Sequence, residues 1–199
     1  MNRFDDKAAT WDADPTKIAR AEAVARCIEA AVPLAPTTRL LEYGAGTGLV
    51  TQALRPAVGP VTLADSSSGM RDVMHAKIAA GQLVDARVWA LDLATDPPPD
   101  EQFDLIVTVM TLHHIPDLTR VLGAFRRLLP PGGYLCIADL EREDGSFHGA
   151  DFDGHHGFAR DALGQDVTRA GFRDVAFSDC TTMVKDGATY GIFLATARA

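Results

Sequence analysis

The segment from Leu40 to Leu54 reads LLEYGAGTGLVTQAL: an acidic residue, Glu42, and then glycines at every second position, Gly44, Gly46 and Gly48. Glycines so spaced let the backbone turn sharply and lie close against a ligand, since no Cβ intervenes and left-handed dihedrals are open. A dinucleotide-binding turn has the spacing G-x-G-x-x-G and aims a helix N-terminus at a pyrophosphate. Here the third glycine comes one position early, and the carboxylate of Glu42 would repel a diphosphate but suit a cation. Asp65 follows Gly48 by 17 residues, where a carboxylate can accept hydrogen bonds from both hydroxyls of a ribose. Asp92, in Ala90-Leu91-Asp92-Leu93, is placed to accept from an exocyclic adenine amine. Met70 can lay its thioether on an adenine face, and serves equally well as core filling. Three acids beside one glycine turn describe a site for an adenine nucleoside that carries positive charge and no phosphate. S-adenosylmethionine (SAM) has that chemistry.

Histidines supply a second set of candidates. Methyl transfer from a sulfonium is an in-line displacement at an activated carbon. Most of the catalysis is therefore alignment of nucleophile, methyl and sulfur, worth up to roughly 7–11 kcal/mol. A general base is needed only where the acceptor must lose a proton, and it adds about 10²–10⁴-fold. His113 and His114 follow the run FDLIVTV. Either could act as a base, and His114 could instead cap the next helix. His155 and His156 lie in the polar stretch Glu141 to Gly157, with His148, Asp151 and Asp153 nearby. They could orient or deprotonate an acceptor, or be incidental to a solvated loop. A loop this long is unusual in a compact domain, which favours a functional role. Its spacing of histidines and acids matches no standard metal motif, so no metal is expected.

Acids at positions 42, 65 and 92 must be brought together by a repeating scaffold, and the chain alternates short β-branched runs with runs of helical period. Asp14-Pro15 is a helix cap followed by a first-turn proline. Ile18, Ala21, Ala25, Ile28 and Val32 then step by three and four as an apolar stripe. Strands are expected at Arg39–Tyr43, Val61–Asp65, Ala86–Leu91, Phe103–Val109 and Tyr134–Ala138. Helices are expected at Leu49–Leu54, Gly69–Ala80, Leu118–Leu129 and Ala159–Ala170. Such alternation predicts a parallel α/β sheet covered on both faces, with the three acids at the ends of three successive strands. Two further strands, near Val175–Ser178 and Gly191–Thr196, are separated only by about a dozen residues containing Asp186-Gly187. With no helix between them they should pair antiparallel.

These segments resemble the class I SAM-dependent methyltransferases, in particular the small branch that includes the ubiquinone and menaquinone biosynthesis enzymes. The resemblance rests on Phe4-Asp5, Trp11-Asp12, LLEYGAGTG from Leu40, VTLADSSSGM from Val61 and ALDL from Ala90. FDLIVTVMTLHHIPD from Phe103 and LLPPGGYLCIADL from Leu128 complete it. It implies a single Rossmann-like domain over residues 1–199, a doubly wound, mostly parallel seven-stranded sheet in the order 3-2-1-4-5-7-6 with strand seven reversed. It also implies contacts from Gly44, Gly46 and Thr47 to the methionine part of SAM, with Glu42, Ala45 and Trp11 among the cofactor-binding residues. Asp65 would hold the ribose, Ser66 and Met70 would flank the adenine, and Asp92 with Leu93 would meet its edge. Thr108 or Val109 would offer a backbone carbonyl to the ammonium, and the segment around Trp11, within residues 1–35, would act as a lid. The implied activity is methyl transfer from SAM to a small-molecule acceptor, leaving S-adenosylhomocysteine (SAH). Two other readings share the fold: a SAM- or SAH-binding protein without activity, and a nicotinamide-dependent oxidoreductase. The misplaced third glycine and Glu42 count against the second.

The 199 residues include 27 acidic and 19 basic side chains, a net charge of -8, with 47% hydrophobic and 23% charged residues. This is ordinary globular usage for one domain. An acidic surface opposes attachment to nucleic acid or anionic membrane, so a small neutral or cationic acceptor is expected. No apolar run approaches the ~18 residues of a membrane helix, and Met1 to Asp14 carry no signal pattern. Cys27, Cys136 and Cys180 are scattered and read as reduced thiols, which suits a cytoplasmic setting; a monomer or homodimer is expected.

Overall fold

A computed structural model of the chain describes residues 4–149 and 151–199. Residues 1–3 of the expected lid and residue 150 of the 141–157 loop lie outside them. Strands β1 (Leu40–Tyr43), β2 (Val61–Asp65), β4 (Leu105–Val109) and β5 (Tyr134–Leu140) are buried almost throughout. Their apolar runs leave no face for water, as strands covered by helices on both sides require. Edge strand β3 (Ala86–Ala90) is half-exposed. The sheet order is β3-β2-β1-β4-β5-β7-β6. Strands β1 to β5 run parallel, and β7 (Ala188–Arg198) runs antiparallel to both β5 and β6 (Arg173–Lys185). The expected order and reversed strand are both present.

Side chains alternate across the sheet and divide the core in two. Leu41, Ile106 and Leu135 pack with Phe125 of α4 (Leu118–Leu128) and Leu163 of α5 (Arg160–Arg169). Leu40, Leu105 and Cys136 pack with Ile28 of α1 (Pro15–Ala31), Leu54 of α2 (Leu49–Leu54) and Met74 of α3 (Ser68–Ala79). Three of these helices begin on a side-chain cap. Asp14 accepts from the Thr16 N–H, Ser67 from Met70 and Asp117 from Thr119, each worth about 1 kcal/mol. Ile18, read as part of the α1 stripe, is 38% exposed, and the buried face begins at Ala21. Among the described residues no helix is long and apolar enough to cross a membrane.

Two features differ from expectation. Strands β6 and β7 run right up to Asp186-Gly187, so most of the expected connection is strand. Both turn residues have positive φ, 51° and 82°, the two-residue geometry whose twist matches that of the flanking strands. The other is a nine-residue 3₁₀ helix, Asp5–Ala13, ahead of α1. Asp5 accepts hydrogen bonds from Ser67 Oγ and the Gly69 N–H, docking this segment on the start of α3.

Candidate active site

The chain leaves β1 in one direction to build β2 and β3, and in the other to build β4 and β5, so the sheet reverses between β1 and β4. Ligands bind at the carboxyl ends of strands at such a reversal. A cavity of about 1000 Å³ opens there, lined by the glycine turn, Asp65, Asp92, the loop after β4 and the N-terminal segment.

Gly44, Gly46 and Gly48 all hold positive φ, at 70°, 56° and 79°. Crowding also demands glycine at position 44, where a Cβ would sit 2.3 Å from Thr111 Oγ1. Gly46 is bare: a Cβ there would meet nothing within 4 Å. Its N–H donates to Asp65 Oδ2, and the Ser67 N–H donates to Oδ1, both at 2.8 Å. These bonds fix the carboxylate at the end of β2, and each oxygen keeps a lone pair for a further donor. Burial pushes the Asp65 pKa up, and the two backbone bonds oppose it.

Glu42 is buried beneath the turn, where it accepts from the Thr51 N–H at 3.0 Å and the Thr51 hydroxyl at 2.5 Å. Burial lifts its carboxyl to about 7. Asp92 lines the cavity and accepts from the Ala94 N–H at 3.0 Å. The Leu93 N–H donates to Tyr43 Oη, which faces Asp92 Oδ1 at 3.5 Å. Leu93 itself is core and is absent from the lining. Ala45, Ser66 and Met70 line the cavity. Thr108 is buried within β4 and off the wall, its Oγ1 without a partner, whereas Val109 lines the cavity. So does Met110, held at φ 52°.

The N-terminal segment closes one side. The Thr47 hydroxyl donates to Asp12 Oδ1 at 2.5 Å, and Asp12 pairs with Lys77 Nζ at 2.5 Å. That buried ammonium also donates to the Thr47 carbonyl and Gln52 Oε1, at 2.8 and 2.7 Å. Trp11 carries Lys17 over its ring at 4.1 Å, and Phe4 stands edge-on to both Trp11 and His114.

Histidines reach the cavity from two loops. His113, His114 and His148 line it; His155 and His156 do not. His155 Nε2 bonds the Ile115 carbonyl and its N–H donates to the His113 carbonyl, while His156 Nδ1 faces Glu143 at 3.2 Å. The loop from Glu141 to Gly157 therefore reaches the cavity through Phe147, His148 and Asp153. His113 is buried, with Nδ1 at 2.5 Å from the equally buried Asp139. Arg20 also lines the cavity, its Nη1 facing Met183 Sδ at 3.8 Å and its pKa lowered by burial. Arg20 and the roles of Asp12 and His148 were not legible in the sequence. The stripe period marks Arg20 only as a non-apolar helix position, and no local spacing ties the other two to the glycine turn.

A family model described as a methyltransferase domain matches residues 17–176. An uncharacterised methyltransferase of Schizosaccharomyces pombe is 35% identical over 117 residues, 55% of this chain and 41% of that protein. A ubiquinone biosynthesis O-methyltransferase of Xanthomonas campestris is 34% identical over 142 residues, 69% of this chain and 58% of that protein. The match thus spans about half the length of these relatives. The N-methyltransferase NodS of Bradyrhizobium japonicum, solved with SAH, superposes with a TM-score of 0.64 at 20% identity, covering 92% of this chain and 84% of that one. At that identity the likeness shows the fold.

Proposed function

This chain belongs to the methyltransferase-domain family, and from that premise we propose that it transfers a methyl group from SAM to a small-molecule acceptor. The observation that carries the reading is Asp65. A desolvated carboxylate, fixed by the glycine turn on one side and by Ser67 on the other, faces a cavity that Glu42 and Asp92 also line. It suits a pair of ribose hydroxyls. The bare backbone at Gly46 admits close approach, and Met70 offers an apolar face to a base. Glu42, whose carboxyl burial lifts to about 7, lines the cavity and suits a cationic group, while no lysine or arginine of the glycine turn awaits a diphosphate. SAM, when bound, supplies an electrophilic methyl carbon on a sulfonium. The chain's own part is to hold the reactants in line and keep water out, with the Phe4–Trp11 segment as cover. The remaining wall carries Arg20 and Lys185 beside Asp14 and Asp153, so it offers an acceptor polar partners of both signs. Cysteine thiols without disulfides agree with a cytoplasmic setting.

Calorimetry should find SAH binding at about micromolar strength and NAD not binding. Asp65→Ala removes hydrogen bonds to a charged group, ~1.5–3 kcal/mol, so SAH affinity should fall on the order of 10–100-fold. NAD binding more tightly than SAH would end the reading. Methyl-labelled SAM incubated with fractionated metabolites then identifies the acceptor by the labelled product, and absence of any product favours a binding protein without activity.

A further inference from the structure

We propose that His113, His114 and His148 form a binding site for a divalent transition-metal ion of the zinc kind. One ligand nitrogen from each lies within 4.8 Å of the others. Three imidazoles on a tetrahedral zinc stand roughly 3.3–3.5 Å apart, so binding needs closure of up to about 1.5 Å. The independent observation lies behind the first ligand. His113 Nδ1 is 2.5 Å from Asp139 Oδ1, and both side chains are 1% exposed. Asp139 is itself fixed, Oδ1 accepting from the Leu140 N–H at 2.8 Å. A proton on Nδ1 donated to Asp139 would leave the Nε2 lone pair as the one presented to an ion. A buried carboxylate behind a histidine is what sets the tautomer and basicity of a metal-binding imidazole; a mere stack of rings does not require one. The other two rings are held by packing. Phe152 stacks on His148 at 4.0 Å and 22°, and Phe4 meets His114 edge-on at 5.3 Å.

All three histidines line the cavity, so an ion on them keeps a coordination position open to it, as catalytic and not structural zinc sites do. Imidazole ligands select zinc, copper, nickel or iron over magnesium and calcium. An acceptor bound to the ion through oxygen or sulfur would have its pKa lowered, which removes the need for a general base. That use of the ion rests on the methyl-transfer reading; the binding of the ion does not. Sequence spacing hid the site because His148 lies 34 residues beyond the His113-His114 pair.

The chelator-treated 199-residue chain should take up one Co²⁺ per chain with the visible d–d bands of a four- or five-coordinate ion, and Zn²⁺ should bleach them. Affinity should fall by ~100-fold or more in His148→Ala and in His114→Ala, each melting near wild type when metal-free, and by ~10–100-fold in Asp139→Asn. No uptake at submillimolar Co²⁺, or uptake unchanged in both histidine variants, overturns the site. SAH titrated into the metal-free and zinc-loaded forms separates the two readings. Failure to bind either form sinks the methyltransferase and leaves the metal result standing.

Discussion

Glu42 sits where an ionised carboxylate is poorly solvated, accepting hydrogen bonds from the hydroxyl and the amide of Thr51. Its carboxyl would titrate near 4.5 if exposed, and burial lifts it to about 7 in the folded protein. Between those values the folded state keeps a proton that the unfolded state has lost. The contribution of this group to stability is therefore fully present below about pH 4.5, declines as pH rises, and is gone above about 7. A difference of this size corresponds to on the order of 3 kcal/mol. Glu42→Gln keeps an acceptor for Thr51 and removes the titration. Denaturant unfolding at pH 5 and pH 8 should show the glutamine variant losing less stability than wild type across that interval. Parallel profiles would mean that Glu42 is ionised throughout. The same residue shows the reach of sequence reasoning. Its position two residues before the turn was readable from spacing. Its protonation was not, because that depends on how completely α2 covers it.

At the scale of elements, the strands and helices of the sheet were legible because each carries its own signal: an apolar run bounded by glycine or proline, or a stripe opened by a capping residue. The 3₁₀ segment carries none. Only Ala8 of its nine residues is buried, and its ties run to residues 35 to 65 positions away. It is a tertiary element, held by Asp5 at one end and Asp12 at the other. The histidine cluster escaped for the same reason, since His148 meets His113 only once two loops have folded over one cavity. Asp12→Ala should therefore loosen the cover without unfolding the sheet. It removes a charge-assisted bond from Thr47 and the counter-ion of a buried lysine, roughly 1.5–3 kcal/mol locally. SAH affinity should drop about tenfold, and limited proteolysis should cut within residues 5–13 faster than in wild type, with the cleavage slowed by added SAH. Equal cleavage rates in the two proteins would show that Asp12 does not hold the segment down.

Over the whole molecule, the net charge of -8 sets a negative field, and the cavity wall carries both signs. Asp14, Glu42, Asp65, Asp92 and Asp153 face Lys7, Lys17, Arg20 and Lys185 there. Long-range attraction therefore comes from the molecule, and local contacts decide the bound pose. SAM carries one net positive charge, from its sulfonium, while SAH is a zwitterion with none. The two ligands share every group except the methyl, so their comparison isolates the field. Salt shortens the screening length from ~30 Å at 0.01 M to ~3 Å at 1 M, which removes steering but leaves contacts inside the cavity largely intact. Stopped-flow association of SAM should accordingly slow several-fold between low and high salt, while that of SAH changes little and both dissociation rates stay nearly constant. If SAM and SAH respond alike to salt, the molecular field plays no part in cofactor capture, and selection between substrate and product rests on the cavity alone.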